Sequence, residues 1–214
     1  IAAAAANAQP GEQVLDYCSG GGGKTIALAS QMKGKGQIFA YDIDGKRLSA
    51  LIPRLKRSGA TNVQLVHPSE PVQLDTLTGL MDCVFVDAPC TGTGTWRRRP
   101  DSKWRIKQGQ LEKRMSEQTE ILDAAAAFVK PGGRMVYATC SFLMEEDEDR
   151  VAEFLESHPE FTEEDAAAAA IASGLLTDEG ANIVQRFRMP TGSVRLTPHR
   201  ARTDGFFFAV LRRA

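Results

Sequence analysis

No apolar run in this chain approaches the roughly 18 residues needed to span a bilayer, so no membrane helix is expected and the chain reads as soluble. There is no excess of basic charge either. The 26 Lys and Arg against 27 Asp and Glu give a net charge of -1, which removes any global electrostatic signal for a polyanion. The four cysteines contain no Cys-x-x-Cys pair, so no metal site is expected. The opening IAAAAANAQP lacks a basic n-region and does not read as a secretory leader. Nothing points to export, so reduced thiols and a cytoplasmic, monomeric protein are expected. The same opening reads as the tail of a helix that begins upstream, as in a fragment of a longer protein.

What is present suits one α/β domain: 214 residues with 43% hydrophobic content. Charge is uneven along it. Trp96, Arg97, Arg98 and Arg99 with Lys103, Trp104 and Arg105 form a basic, aromatic cluster, and Glu145–Asp149 is an acidic run. Taken alone, each reads as a solvated surface.

Short apolar strands alternate with helices. Strands are predicted at Gln13–Cys18, Gln37–Asp42, Val63–Val66, Asp82–Asp87 and Arg134–Thr139. Helices are predicted at Lys24–Met32, at Lys46–Ser58 with a break near Pro53, at Gln110–Val129 and at Glu145–Ser157. Ser193–Thr197 and Phe206–Leu211 suit a closing antiparallel hairpin. Ala166–Ala170 is a low-complexity stretch, either a helix or a loose connection. The alternation implies a mostly parallel, seven-stranded sheet with helices on both faces. Such sheets bind ligands beyond the carboxyl ends of their strands. The residues there are Asp16–Lys24, Asp42, Asp87–Cys90 and Thr139–Ser141, and the chemically interesting side chains fall among them.

DYCSGGGGKT (Asp16–Thr25) joins a strand to a helix. Its end, Gly23–Lys24–Thr25, fits a phosphate-binding P-loop, but Cys18 stands where that loop needs its first glycine. The dinucleotide pattern GxGxxG fails at Lys24 and Thr25. A third option is a turn that cradles S-adenosyl-L-methionine, with Cys18, Ser19, Gly20, Gly21, Gly22, Gly23 and Lys24 around it. That option needs an acid after the second strand to accept ribose hydroxyls, and Asp42 is placed for it. The alternative for Asp42 is a helix N-cap, a role that Asp44 suits better.

Two cysteines close the pattern. Cys90 lies in DAPCTGTG after one strand and Cys140 in YATCS after the next, so both thiols can reach one cleft. A lone cysteine is usually a small buried hydrophobe. Cys83, inside the apolar run Met81–Val86, is expected to be one. Taken with YDIDGKRL, Lys103–Trp104, Glu145–Glu146 and DGFFFAVL, these motifs resemble the Nol/Nop/Sun family of RNA cytosine-C5 methyltransferases, from about Pro10 to Arg212. Within it, the extended glycine turn resembles the bacterial small-subunit rRNA enzymes.

The resemblance implies a class I, Rossmann-like methyltransferase fold and S-adenosyl-L-methionine as cofactor. Cys140 would be the nucleophile on cytosine carbon 6. Cys90 would assist product release, and Asp87 would bond the base edge near the cofactor. Lys24 would pair with Asp87. The substrate implied is RNA, with rRNA favoured over tRNA. A nucleophilic thiol should be partly exposed and near positive charge or a helix N-terminus, and the helix predicted from Glu145 follows Cys140 closely. Arg97, Arg98, Arg99, Lys103 and Trp104 would meet RNA through phosphate contacts and stacking, although Trp104 also suits a core position. Further RNA-binding surface is expected upstream.

The chain departs from the family pattern in three places. Ser19, Gly20 and Gly21 replace the usual Ala-Ala-Pro. His67–Pro68–Ser69 stands where an acid often follows the third strand. Met144 and Asp147 replace a proline and an asparagine around the Glu-Glu pair. Other readings are a DNA cytosine methyltransferase working through Cys90 alone, a non-catalytic RNA-binding protein of the same fold, and a P-loop NTPase.

Overall fold

A computed structural model describes residues 1–107 and 109–214. In chain order its strands and helices are β1 (Gln13–Asp16), α1 (Gly23–Gln31), β2 (Gln37–Tyr41), α2 (Gly45–Ser49), α3 (Ile52–Ser58), β3 (Val63–Val66), α4 (Pro71–Asp75), β4 (Met81–Asp87) and α5 (Gln110–Ala126). They continue with β5 (Val129–Thr139), α6 (Glu148–Ser157), β6 (Phe161–Glu164), α7 (Ala166–Ala172), α8 (Asp178–Arg186), β7 (Val194–Leu196), α9 (Pro198–Ala201) and β8 (Phe206–Arg213).

One sheet holds every strand. Its main path runs β3-β2-β1-β4-β5-β8-β6, and β7 joins as an eighth strand paired to β8. Strands β1 to β5 pair in parallel, while β8 runs antiparallel to β5. The expected closing hairpin forms, with Val194 opposite Phe208. Strand order reverses between β1 and β4, so their carboxyl ends open a crevice there.

Side chains alternate across the sheet with period two. Cys83 and Phe85 face one layer with Val14, Leu28 and Met32, while Val84 and Val86 face the other with Leu122 and Phe154. Cys83 is fully buried, as its apolar surroundings predict. The first layer is closed by alanines. Ala4, Ala5 and Ala6 of an N-terminal 3-10 turn lie in it with Ala166, Ala167 and Ala170 of α7, all fully or almost fully buried. Small side chains let the two backbones approach, so Ala166–Ala170 is a packed helix, N-capped by Asp165 on the Ala168 amide at 2.9 Å. The opening is a 3-10 turn rather than an α-helix, and Asn7 ends it in the left-handed region at φ 43°. Arg134 fastens it down, donating to Ala6 O at 2.6 Å and pairing with Glu12 at 2.7 Å.

Several elements differ from the sequence expectation. The helix predicted to Val129 ends at Ala126, and β5 begins at Val129 and carries Pro131–Gly133 within it. The helix predicted from Glu145 starts at Glu148, after a separate 3-10 turn over Met144–Glu146. The predicted Lys46–Ser58 helix is two helices, split ahead of Pro53. Strand β6 was not expected. Four residues, FTEE, carry little signal, and their pairing partner Val210–Arg213 is distant in sequence.

Candidate active site

The turn after β1 is held from several sides. Ser19 N donates to Tyr41 O at 2.9 Å, tying the turn to the end of β2. Asp42 accepts from Gly20 N on one carboxylate oxygen and from Asp44 N on the other, both at 2.8 Å. Asp44 takes the capping role for α2, accepting from Lys46 N at 2.9 Å. Arg54 of α3 donates to Gly21 O. Gly22 sits at φ 77°, and a Cβ there would lie 1.9 Å from Leu51 Cδ1, so the close packing of turn on helix requires glycine. Behind the turn, Thr25 donates to Asp16 at 2.6 Å. Burial pushes the Asp16 carboxyl up to about 7, against the opposing hydrogen bond from Thr25. Burial likewise pushes the Cys18 thiol well up, away from ionisation.

Lys24, the second residue of α1, forms an ion pair with Asp87 at the end of β4. Its ammonium also lies 5.8 Å from the centre of the Phe206 ring. Beyond Asp87, Ala88 N donates to Ala138 O at 2.9 Å, which carries the β4–β5 pairing past the strand end. The two loops that follow meet sulfur to sulfur, with Cys90 Sγ 3.4 Å from Cys140 Sγ. The two thiols are inequivalent. Cys140 is held below the usual thiol range, first by the hydrogen bond shared with Cys90 and then by the Lys24 charge, while that hydrogen bond and burial raise Cys90 well above it. The cause of the lowered Cys140 value is therefore the partner thiol and Lys24, not the terminus of α6, which starts beyond the intervening 3-10 turn.

The Cys140 loop is stitched to its neighbours by backbone. Gly94 N donates to Cys140 O at 2.9 Å, and Gly205 N donates to Gly94 O at 2.8 Å. A Cβ on Gly94 would lie 2.2 Å from Gly205 O, so the three segments meet only over a glycine. Asp204, just before Gly205, receives Arg97 at 3.4 Å and also Arg98. Arg97, Arg202, Asp204, Phe206 and Lys24 line a cleft of about 570 Å³. A second, shallower hollow of about 930 Å³ lies beside Asp42, lined by Ile43, Asp44, Lys46, Ser49 and His67.

The structure thus brings Cys18 through Lys24, Asp42, Asp87, Cys90 and Cys140 to one end of the sheet. Arg97 and Arg98 reach it through Asp204. Arg99, Lys103 and Trp104 are exposed farther along the loop, and the Lys103 ammonium lies 4.5 Å from the centre of the Trp104 ring. The core alternative for Trp104 does not hold, since the residue is 80% exposed. Trp96 packs instead, edge-on against Phe142 at 5.5 Å. Sequence reasoning missed Glu146, Gln118, Asp204 and Phe206. Glu146 sits within an acidic run that reads as solvated, yet it is fully buried. The DGFFFAVL motif contained the other signal, for Asp204 and Phe206. Among the described residues no group of three or more His, Cys, Asp or Glu is arranged to hold a metal ion, and no helix is long and apolar enough to cross a membrane.

A sheet of this order, with a glycine turn after its first strand, an acid after its second and an antiparallel strand beside its fifth, has the fold of the class I S-adenosylmethionine-dependent methyltransferases. Residues 3–212 match the family described as 16S rRNA methyltransferase RsmB/F, and the chain belongs to that family. The ribosomal RNA small subunit methyltransferase B of Yersinia pseudotuberculosis serotype O:1b is 36% identical over 203 residues, which cover 94% of this chain and 42% of that protein. The solved structure of PH0851 is 35% identical with a TM-score of 0.83, covering 99% of this chain and 45% of that one. NSun6 from Pyrococcus horikoshii, solved with SFG, is 28% identical with a TM-score of 0.78, covering 99% of this chain and 51% of that one. The chain spans less than half the length of the curated relative.

Proposed function

We propose that this chain is the catalytic domain of an S-adenosyl-L-methionine-dependent RNA methyltransferase that methylates carbon 5 of a cytosine, with rRNA as its substrate. The observation that carries the reading is the pair of thiols 3.4 Å apart, beside the Lys24–Asp87 ion pair and next to the glycine turn. Family membership supports the substrate class, and the names of the relatives support rRNA over tRNA.

The residues present fit the cofactor. Among the described residues the buried Ser19 hydroxyl has no partner, and a Cβ on Gly23 would meet only open space, so the turn leaves both a polar atom and room at its rim. Each Asp42 oxygen accepts one backbone N–H and keeps a lone pair for a ribose hydroxyl. Residues Cys18 to Lys24 and Asp42 would hold the cofactor, which supplies an electrophilic methyl group when bound.

Carbon 5 of cytosine is too weak a nucleophile to take that group unaided. The Cys140 thiolate forms a bond to carbon 6, and the electron pair of the 5,6 double bond moves to carbon 5, which becomes nucleophilic. Once carbon 5 carries the methyl group, its proton must leave to a base. The electron pair left behind re-forms the double bond and expels Cys140 as thiolate. Cys90 would assist this release, and its 3.4 Å distance from that sulfur supports the role. Asp87, paired with Lys24, would bond the base edge. Arg97, Arg98, Arg99, Lys103 and Trp104 offer phosphate contacts and a stacking surface at the rim. A base paired in a helix would have to leave its stack to reach Cys140.

Bisulfite sequencing of RNA from cells lacking the gene tests this reading. One cytosine is expected to lose its methyl mark and to regain it with the full-length protein but not with the C140A variant. Unchanged methylation at every cytosine would overturn it.

A further inference from the structure

The two cysteine loops are fastened by two consecutive acids. Glu146 is fully buried and grips the Cys90 loop: it accepts Thr91 N at 2.8 Å on one oxygen and the Thr91 hydroxyl on the other. Gln118 of α5 completes the grip, donating to Pro89 O at 2.9 Å and to Glu146 Oε1 at 3.1 Å. Both chain neighbours of Cys90 are thereby fixed. Asp147 does the same for the other loop. It accepts the Thr139 hydroxyl at 2.6 Å, and that hydroxyl in turn accepts Ser141 N at 3.2 Å, so both neighbours of Cys140 are fixed too. Tyr137 OH donates to Glu146 O at 2.7 Å and anchors the acids to the sheet.

We propose that Glu146 is a positioning residue which, with Gln118, holds the Pro89–Thr91 loop so that the Cys90 thiol stays against Cys140. The proposal rests on the reading of Cys90 as the thiol that assists release. A buried carboxylate meeting three donors costs desolvation that a loop anchor of neutral groups would avoid. Its geometric effect is specific: the Glu146 side chain bears on the Cys90 loop, and the Cys140 loop is left to Asp147. Loosening Glu146 therefore impairs release more than attack. Displacing a reacting group by about 1 Å can cost on the order of a hundredfold in rate.

The test uses full-length protein, its RNA substrate and S-adenosyl-L-methionine, with covalent RNA–protein adduct read on denaturing gels beside kcat and KM. The variants are E146A, E146Q, T91V, C90A and C140A. C90A is expected to accumulate adduct and C140A to form none. E146A and T91V are expected to accumulate adduct to an intermediate level, with kcat lowered roughly ten- to a hundredfold and KM for RNA unchanged. E146Q, which keeps the shape and one acceptor, is expected to recover part of the turnover. T91V removes a single hydroxyl and keeps the test valid if E146A fails to fold. Wild-type turnover without adduct in T91V and E146Q, while C90A does trap adduct, overturns the proposal alone. Absence of adduct in C90A overturns the reading beneath it, and the proposal with it.

Discussion

The sulfur of Cys90 lies 3.4 Å from the sulfur of Cys140, within reach of a hydrogen bond between the two thiols. That contact and the surrounding charges push two chemically identical side chains in opposite directions, Cys140 down and Cys90 up. Cys90 is held as a thiol, while Cys140, with Lys24 nearby, is favoured toward thiolate. Alkylation by iodoacetamide, followed by peptide mass spectrometry, reads this directly. Cys140 is expected to label fastest of the four cysteines near pH 7, ahead of Cys18 and Cys83, whose thiols burial pushes up. In C90A the Cys140 pH profile is expected to move to higher pH, so its labelling at neutral pH slows. An unmoved profile would show that the partner thiol does not set the Cys140 state.

Asp42 is expected to govern cofactor affinity. D42N keeps the shape but turns a charged acceptor into a neutral one, so it weakens both the Gly20 N–H bond and the ribose contact. Calorimetry with S-adenosyl-L-methionine should find binding weaker by about tenfold or more, the scale of one charge-assisted hydrogen bond. Wild-type affinity in D42N would place the cofactor elsewhere.

Asp147 gives the fold a pH dependence of known sign. Burial pushes its carboxyl up to about 8, against the hydrogen bond from Thr139. An acid raised in the folded state keeps its proton there while the unfolded chain has already lost it. Stability therefore falls as pH rises from the unfolded value of about 4 to about 8, and levels off above that. D147N keeps an acceptor for Thr139 and has no proton to lose. Urea unfolding should show D147N gaining on wild type across this window, by a few kcal/mol at most, with little difference near pH 4. Parallel curves would contradict the assignment.

The arginines of the loop after Cys90 are expected to act through phosphate. R97Q and R98Q should each weaken RNA binding, and each should reduce the slope of log K against log salt by roughly 0.7 for every single-strand phosphate left without its cation. Filter binding across a salt series measures it. Equal slopes in wild type and variants would confine Arg97 and Arg98 to bracing Asp204.

Much of the fold is legible in the sequence because its signals are local. Apolar runs such as DCVFVD mark strands buried on both faces, and glycines or acids end them, so the strand ends and Cys90, Cys140, Lys24, Asp42 and Asp87 are found together. What escapes is set by distant partners. Glu146 lies among five consecutive acids, and nothing local separates the one that turns inward to meet Thr91 and Gln118. β6 exists only because β8 offers it an edge. The alanines at 2–6 and 166–170 look poorly specified until they are seen against each other, where their small size is what lets the segments pack. Trp96 and Trp104 stand eight positions apart in the same loop; only the tertiary contact with Phe142 decides which one packs.

The most direct measurement of the central claim is the identity of the cysteine bonded to RNA. Full-length C90A protein, incubated with substrate RNA and S-adenosyl-L-methionine and then digested, is expected to yield one peptide–nucleotide conjugate, attached at Cys140, and the C90A/C140A double variant none. A conjugate attached at any other residue, or one formed by C140A alone, would contradict the account.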